Sequence, residues 1–160
     1  MLFRSVEERD QLRAAMSYPE DAVGALMDFD MITVRDDITV EVVLRYLRRL
    51  DEMPDHTDQI FVVDRDMRLR GLLPTSKLLV TDLDVPVTEI MTDDTVRFRP
   101  DEKAQDAALA FERYDLVSAP VVDADDKLVG RVTVNVVVDF IREESENEML
   151  SAGEIGRAHV

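Results

Sequence analysis

Apolar and polar positions along the chain fall into one pattern, written twice. Val40, Val43, Leu44 and Leu47 stand at i, i+3, i+4 and i+7, and Ala104, Ala107, Ala108 and Phe111 repeat that spacing 64 residues later. Such a period marks a single apolar stripe on a helix. The same offset of 64 carries Leu26-Met27 onto Ile90-Met91, Ile32 onto Val96 and Asp37 onto Asp101. Beyond each helix comes an apolar run, an acidic turn and a second apolar run entered by Leu-x-Gly: "IFVVDRDMRLRGLLPT" from Ile60 and "APVVDADDKLVGRVTV" from Ala119. Here the offset falls to 59, as between Asp64 and Asp123 or Gly71 and Gly130, so the first copy holds five extra residues around "MPDHTD". The composition of that insertion marks a surface loop. Each copy therefore predicts short strand, helix, strand, acidic turn, strand, helix. The β-rich segments are "QIFVV", "LRGLL", "APVV" and "LVGRVTV", and the closing helices start near Thr75 and Val134.

One such unit buries too little surface to be stable alone, whereas two facing each other bury their sheets mutually. The expected fold is thus α/β (α+β), a pseudo-twofold module of two β-α-β-β-α repeats over residues 19–85 and 86–153. Residues 1–18 read as a helix ending before Pro19, since the residue preceding a proline is pushed out of helical geometry. It fits the last helix of an upstream domain. The final stretch "EIGRAHV", Glu154 to Val160, matches no preceding pattern and resembles a translated sequencing adapter, so residues 154–160 are set aside as a non-native tail. On that reading the natural chain continues beyond Gly153.

Composition narrows the chemistry. An apolar share of 46% in 160 residues suits a globular chain. With no cysteine, disulfides and thiolate metal sites are excluded, which suits a reducing compartment. No apolar run approaches the roughly 18 residues of a membrane span, and Met1 to Glu20 is too charged for a secretory signal. Asp plus Glu number 35 against 19 Lys plus Arg, a formal charge of −16 that repels nucleic acid and attracts cations or a basic partner. "DADDK" begins like a calcium loop but has Lys127 at a ligand position and no following Gly, so it reads as a hairpin turn. His56 and His159 are isolated, no base is paired with a nucleophile, and five glycines form no phosphate loop. No active site is legible, and the expectation is a protein that is not an enzyme.

The acid is concentrated in "VVVDFIREESENEML", where Asp139, Glu143, Glu144, Glu146 and Glu148 are opposed only by Arg142. Asp139 and Glu143, like Glu144 and Glu148, stand at i, i+4, where like charges are mildly destabilising on a helix. Such a face is either simply solvated or meets a cation.

The paired "V-V-D-x-D-x-x-L-x-G" segments, the "L-M" and "I-M-T" before them and the closing "G-R-V-T-V-N-V-V-V-D-F-I" resemble a tandem cystathionine β-synthase (CBS) domain pair. More narrowly, "YPEDAVGALM", "VTEIMTDD", "FERYDLVSAPVVD" and "VTVNVVVDFIREESENEML" resemble the cytosolic region of the MgtE family of magnesium channels and transporters, over about Pro19 to Gly153. The resemblance implies a gating module that senses cytosolic Mg²⁺. It implies a homodimer, joined through the helical faces Val40 to Leu47 and Ala104 to Phe111. It also implies a preceding acidic helical domain and a following transmembrane pore, with the module on the cytoplasmic side of the inner membrane.

Carried over by position, the resemblance implies Mg²⁺ ligands at Asp115, Asp139, Glu144 and Glu148. Val136 stands where the family commonly has Asp and Asn147 where it has Glu, which weakens or redistributes some sites. CBS pairs that bind adenosine nucleotides commonly carry G-h-h-S/T-x-x-D. The second copy keeps Thr133 but has Val136 for the Asp, and the first has Pro74 and Lys77 in those places. Losing acceptors built for a ligand hydroxyl costs affinity heavily, so ATP or AMP is expected to bind weakly or not at all. Where a nucleotide binds, Arg97, Pro120 and Thr133 would carry it. The alternative function is an adenine-nucleotide-sensing CBS module of a soluble enzyme.

Overall fold

Each copy of the pattern folds around an antiparallel hairpin. In a computed structural model, which describes residues 17–158, the first repeat runs α1 (Val23–Leu26), β1 (Thr33–Arg35), α2 (Val40–Arg48), β2 (Gln59–Val63), β3 (Leu69–Pro74) and α3 (Thr75–Val80). The second runs α4 (Val87–Ile90), α5 (Ala104–Tyr114), β4 (Ser118–Val122), β5 (Leu128–Thr133) and α6 (Val134–Ala158). The mixed α/β class is as expected, and the closing helices begin at the anticipated Thr75 and Val134. The helix expected before Pro19 lies outside the described residues, apart from Ser17 and Tyr18. The segment from Glu154 to Ala158 continues α6.

The hairpins match in detail. β2 pairs antiparallel with β3 and β4 with β5, and each ladder shifts register at the same point, between Val62 and Val63 and between Val121 and Val122. In the turns, Asp64 Oδ1 accepts the N–H groups of Asp66 at 2.8 Å and Arg68 at 3.0 Å. Asp123 Oδ1 likewise accepts those of Asp125 at 2.9 Å and Lys127 at 3.0 Å. "DADDK" is therefore a hairpin turn whose leading carboxylate holds the backbone. Met67 and Asp126, both at φ 65°, form the tips. The Leu69 N–H donates to Asp126 O and the Leu128 N–H to Met67 O, each at 2.9 Å, so the two turns bind one another across the pseudo-twofold axis.

β1 lies parallel to β2, with Val34 opposite Val62. Its counterpart in the second repeat shrinks to a single parallel bridge between Phe98 and Val121. In the first repeat the ladder extends through the Asp36 N–H, which donates to Val63 O at 2.9 Å. The equivalent position is Pro100, which has no N–H to donate.

Three apolar clusters fill the interior. One packs Phe98, Ala107, Phe111, Val121 and Val132 of the second repeat around Val23 of the first. A second packs Val40, Val43, Ile60, Leu73 and Leu78 of the first repeat around Val87 of the second. The repeats thus exchange their opening segments, and the Val23 N–H donates to Glu102 O at 2.8 Å while the Val87 N–H donates to Ile38 O at 3.0 Å. The third cluster, with Phe61, Leu69, Leu72, Val122 and Leu128, joins the two hairpins.

This packing corrects one expectation. Val40, Val43, Ala104, Ala107 and Phe111, on the stripes assigned to a dimer contact, are buried in the chain's own core. The stripes are spent within the module. The outer helix faces instead expose Val42, Tyr46, Leu79, Val80 and Leu109.

Candidate functional site

A cleft of about 430 Å³ opens between the repeats, lined among others by Asp28, Asp55, His56, Arg131, Thr133 and Asn135. Its floor is β5. Gly130 lets the Met27–Phe29 segment lie close on that strand: a Cβ there would meet Met27 Sδ at 3.1 Å and Phe29 Cε1 at 3.3 Å. The neighbouring Arg131 is buried, at 2% exposure. A buried cation is costly unless it is paired and each of its nitrogens is hydrogen-bonded. Here Nε donates to Asp28 Oδ2 at 3.2 Å, Nη1 to the His56 carbonyl at 2.9 Å and Nη2 to the Asp55 carbonyl at 2.7 Å. Main-chain bonds from Asp28 N to Arg131 O (2.7 Å) and from Arg131 N to Asp28 O (2.9 Å) complete the contact.

The pseudo-symmetric position has different chemistry. Leu72 and Thr92 exchange the same pair of main-chain bonds, at 2.9 and 2.7 Å, but an apolar side chain replaces the guanidinium. The Thr92 hydroxyl donates to Leu72 O at 3.2 Å. Asp58, the last residue of "MPDHTD", ties the repeats together on this side: its Oδ1 accepts from Ser118 Oγ at 2.8 Å, and its carbonyl accepts from Thr75 Oγ1 at 3.0 Å.

Of the three nucleotide candidates, Thr133 alone lines the cleft. Its hydroxyl donates to Asn135 Oδ1. Pro120 is buried in β4 opposite Arg131, and its carbonyl accepts the Phe98 N–H at 3.0 Å. Arg97 precedes Phe98, which bridges Val121, and its guanidinium turns to the hairpin tip that opens β5, whereas Thr133 ends that strand. There its Nη1 donates to both carboxylate oxygens of Asp126, at 2.6 and 2.7 Å. The structure does not gather these three side chains into one site.

The acidic candidates are all exposed. Glu144 and Glu148 of α6 line a groove of about 230 Å³ together with Glu112 and Gln105 of α5. Asp139 and Asp115 do not line it. Asp115 terminates α5 in the left-handed conformation, at φ 53°, and its N–H donates to Phe111 O. Among the described residues, no three carboxylate or imidazole groups converge as a metal-ligand set. Sequence reasoning missed Glu112, which stands outside the acidic run, and Arg131. The signal for Arg131 was a cation at the position where the first copy has Leu72.

Doubled hairpins, exchanged opening segments and an inter-repeat cleft define a tandem CBS module. The chain belongs to the CBS domain family, whose model matches residues 23–82 and 87–143. It is 37% identical over 147 residues to the magnesium transporter MgtE of Thermus thermophilus, an alignment covering 92% of this chain and 33% of that protein. A crystal structure of the cytosolic domain of the Mg²⁺ channel MgtE in complex with ATP matches at 36% identity with a TM-score of 0.78, covering 87% of this chain and 58% of that one. The crystal structure of the soluble part of a magnesium transporter matches at 26% identity, also with a TM-score of 0.78, over 82% of this chain and 52% of that one. The chain spans about a third of the length of the curated transporters it matches. Among the described residues, no helix is long and apolar enough to cross a membrane.

Proposed function

We propose that the chain is the regulatory CBS pair of a magnesium transporter and that Mg²⁺ is its effector. The observation carrying this reading is the groove between α5 and α6, lined by Glu112 from one helix and by Glu144 and Glu148 from the other with no basic side chain in the lining. Mg²⁺ keeps most of its waters and takes only one or two carboxylates per ion. An open acidic groove suits that habit, since a hydrated ion needs no closed cage. Asp115 and Asp139, outside the groove, serve shared sites completed by a neighbouring domain or subunit.

The mechanism is electrostatic. Without Mg²⁺ the acidic faces repel and the subunits and domains splay. Bound Mg²⁺ bridges them, and its preference for the closed arrangement shifts a two-state equilibrium felt by an attached transmembrane pore. The module works as a homodimer on the cytoplasmic side of the membrane, with Leu79, Val80 and Leu109 among its contacts. Calorimetric titration with Mg²⁺ at fixed ionic strength tests the groove. Saturable binding in the native chain, lost in Glu112→Gln with Glu144→Gln and Glu148→Gln, supports the reading, and identical heats in both chains contradict it.

A second reading is favoured by the ATP complex of the similar MgtE domain. In it, a nucleotide enters the inter-repeat cleft beside Thr133 and Asn135. Val136 and Lys77 leave both ribose carboxylates missing, so the expected affinity is low. Micromolar ATP or AMP binding by calorimetry would establish this reading.

A further inference from the structure

We infer that the five-residue insertion of the first repeat is a strap that narrows the inter-repeat cleft over the end of β5, with Arg131 as its latch. Three observations converge. The offset between the repeats falls from 64 to 59 across "MPDHTD", so this loop has no counterpart in the second half. The loop crosses to the other repeat and meets Arg131 through the carbonyls of Asp55 and His56, 76 and 75 positions away in sequence. Arg131 in turn replaces an apolar residue, because the pseudo-symmetric position is Leu72. An insertion on one repeat and a buried cation on the other thus meet only in this half of the module.

The local backbone suits a fixed strap. His56 adopts φ 60°, its carbonyl and that of Asp55 both accept from the guanidinium, and the Thr57 hydroxyl donates to the Pro54 carbonyl. Arg131 spends three of its five N–H donors on Asp28 and the strap, and these donors are the groups with which a cleft guanidinium would hold an anion. The latch is therefore self-occupation: the chain's own carbonyls and the Asp28 carboxylate stand on the guanidinium where ligand oxygens would. The strap acts whether or not Mg²⁺ is the effector.

The absence of cysteine makes the test direct. Thr133, 3% exposed beneath the strap, is replaced by Thr133→Cys, and the rate of thiol labelling reports opening of the cleft. Ala107→Cys, at 0% exposure in the same half's core, reports global unfolding in a separate chain. Adding Arg131→Leu, the residue of the equivalent position, removes three hydrogen bonds. It should speed labelling at position 133 by at least about tenfold more than at position 107. Removing the five extra residues instead should produce the same preferential gain without altering Arg131. Equal acceleration at both reporters, or none at position 133 with either change, would overturn the strap.

Discussion

Asp28 and Arg131, 103 positions apart in sequence, hold each other through two main-chain hydrogen bonds and one between carboxylate and guanidinium. The pseudo-symmetric pair, Thr92 and Leu72, keeps the main-chain bonds without the charge. Removing a partner from a buried cation leaves its desolvation uncompensated. Asp28→Ala should therefore lower unfolding free energy by about 1–3 kcal/mol, and Thr92→Ala by about 1 kcal/mol or less. Denaturant unfolding of the two variants measures the difference.

Close backbone approach makes the two strand glycines unequal. A Cβ at Gly71 would lie 2.7 Å from the Thr92 carbonyl oxygen, a main-chain atom that cannot turn aside, whereas at Gly130 it would first meet the flexible Met27 side chain at 3.1 Å. Gly71→Ala should cost about 1–3 kcal/mol, in the range of overpacked sites, and Gly130→Ala clearly less. Equal melting temperatures for the two variants would contradict this packing.

Much of this fold was legible because strand and helix periods were unambiguous. "QIFVV" is β2 to the residue, and the helical stripes lie within α2 and α5. The reduced strand at Phe98 was less so, because the loss of the Pro100 donor matters only where that position meets a neighbouring strand. Arg131 was hidden for a related reason. Strand alternation puts it on the face of Thr133, yet β5 is buried on both faces, and the Asp55 and His56 carbonyls of the insertion accept from Arg131 there. Glu112 shares a groove with Glu144 and Glu148 only through the packing of α5 against α6, a relationship between helices that no local pattern encodes.

The acidic turn gives a pH signature. Burial pushes the Asp64 carboxyl up, but hydrogen bonds from the Arg68 and Asp66 N–H groups and the nearby charges of Arg68 and Arg70 outweigh it and hold the group below its ordinary value of 3.8. A depressed carboxylate contributes stability above its unfolded value, and that stability is lost as pH falls through the folded value. Asp64→Asn should therefore melt below the native chain at pH 6. The gap should close as pH falls below about 4, as followed by thermal melts at fixed ionic strength.

Association should depend on the outer helix faces rather than on the buried stripes. Leu79 and Val80, 76% and 85% exposed, are the most open apolar residues of α3. Sedimentation in millimolar Mg²⁺ should show a dimer that Leu79→Ser with Val80→Ser weakens by about tenfold or more, since exposed apolar clusters of this kind mark contact surfaces. A strict monomer at every concentration would count against the dimer.

The central claim is that the acid of α6 senses Mg²⁺ rather than merely solvating the chain. A ligand that binds the folded state raises stability by mass action, whereas screening of a chain with net charge −16 follows ionic strength alone. The deciding measurement is the melting temperature in MgCl₂ against NaCl matched for ionic strength, for the native chain and for Asp139→Asn with Glu144→Gln. Mg²⁺ sensing predicts an additional upward shift in MgCl₂ that the double substitution removes. Equal shifts in the two salts for the native chain would contradict it.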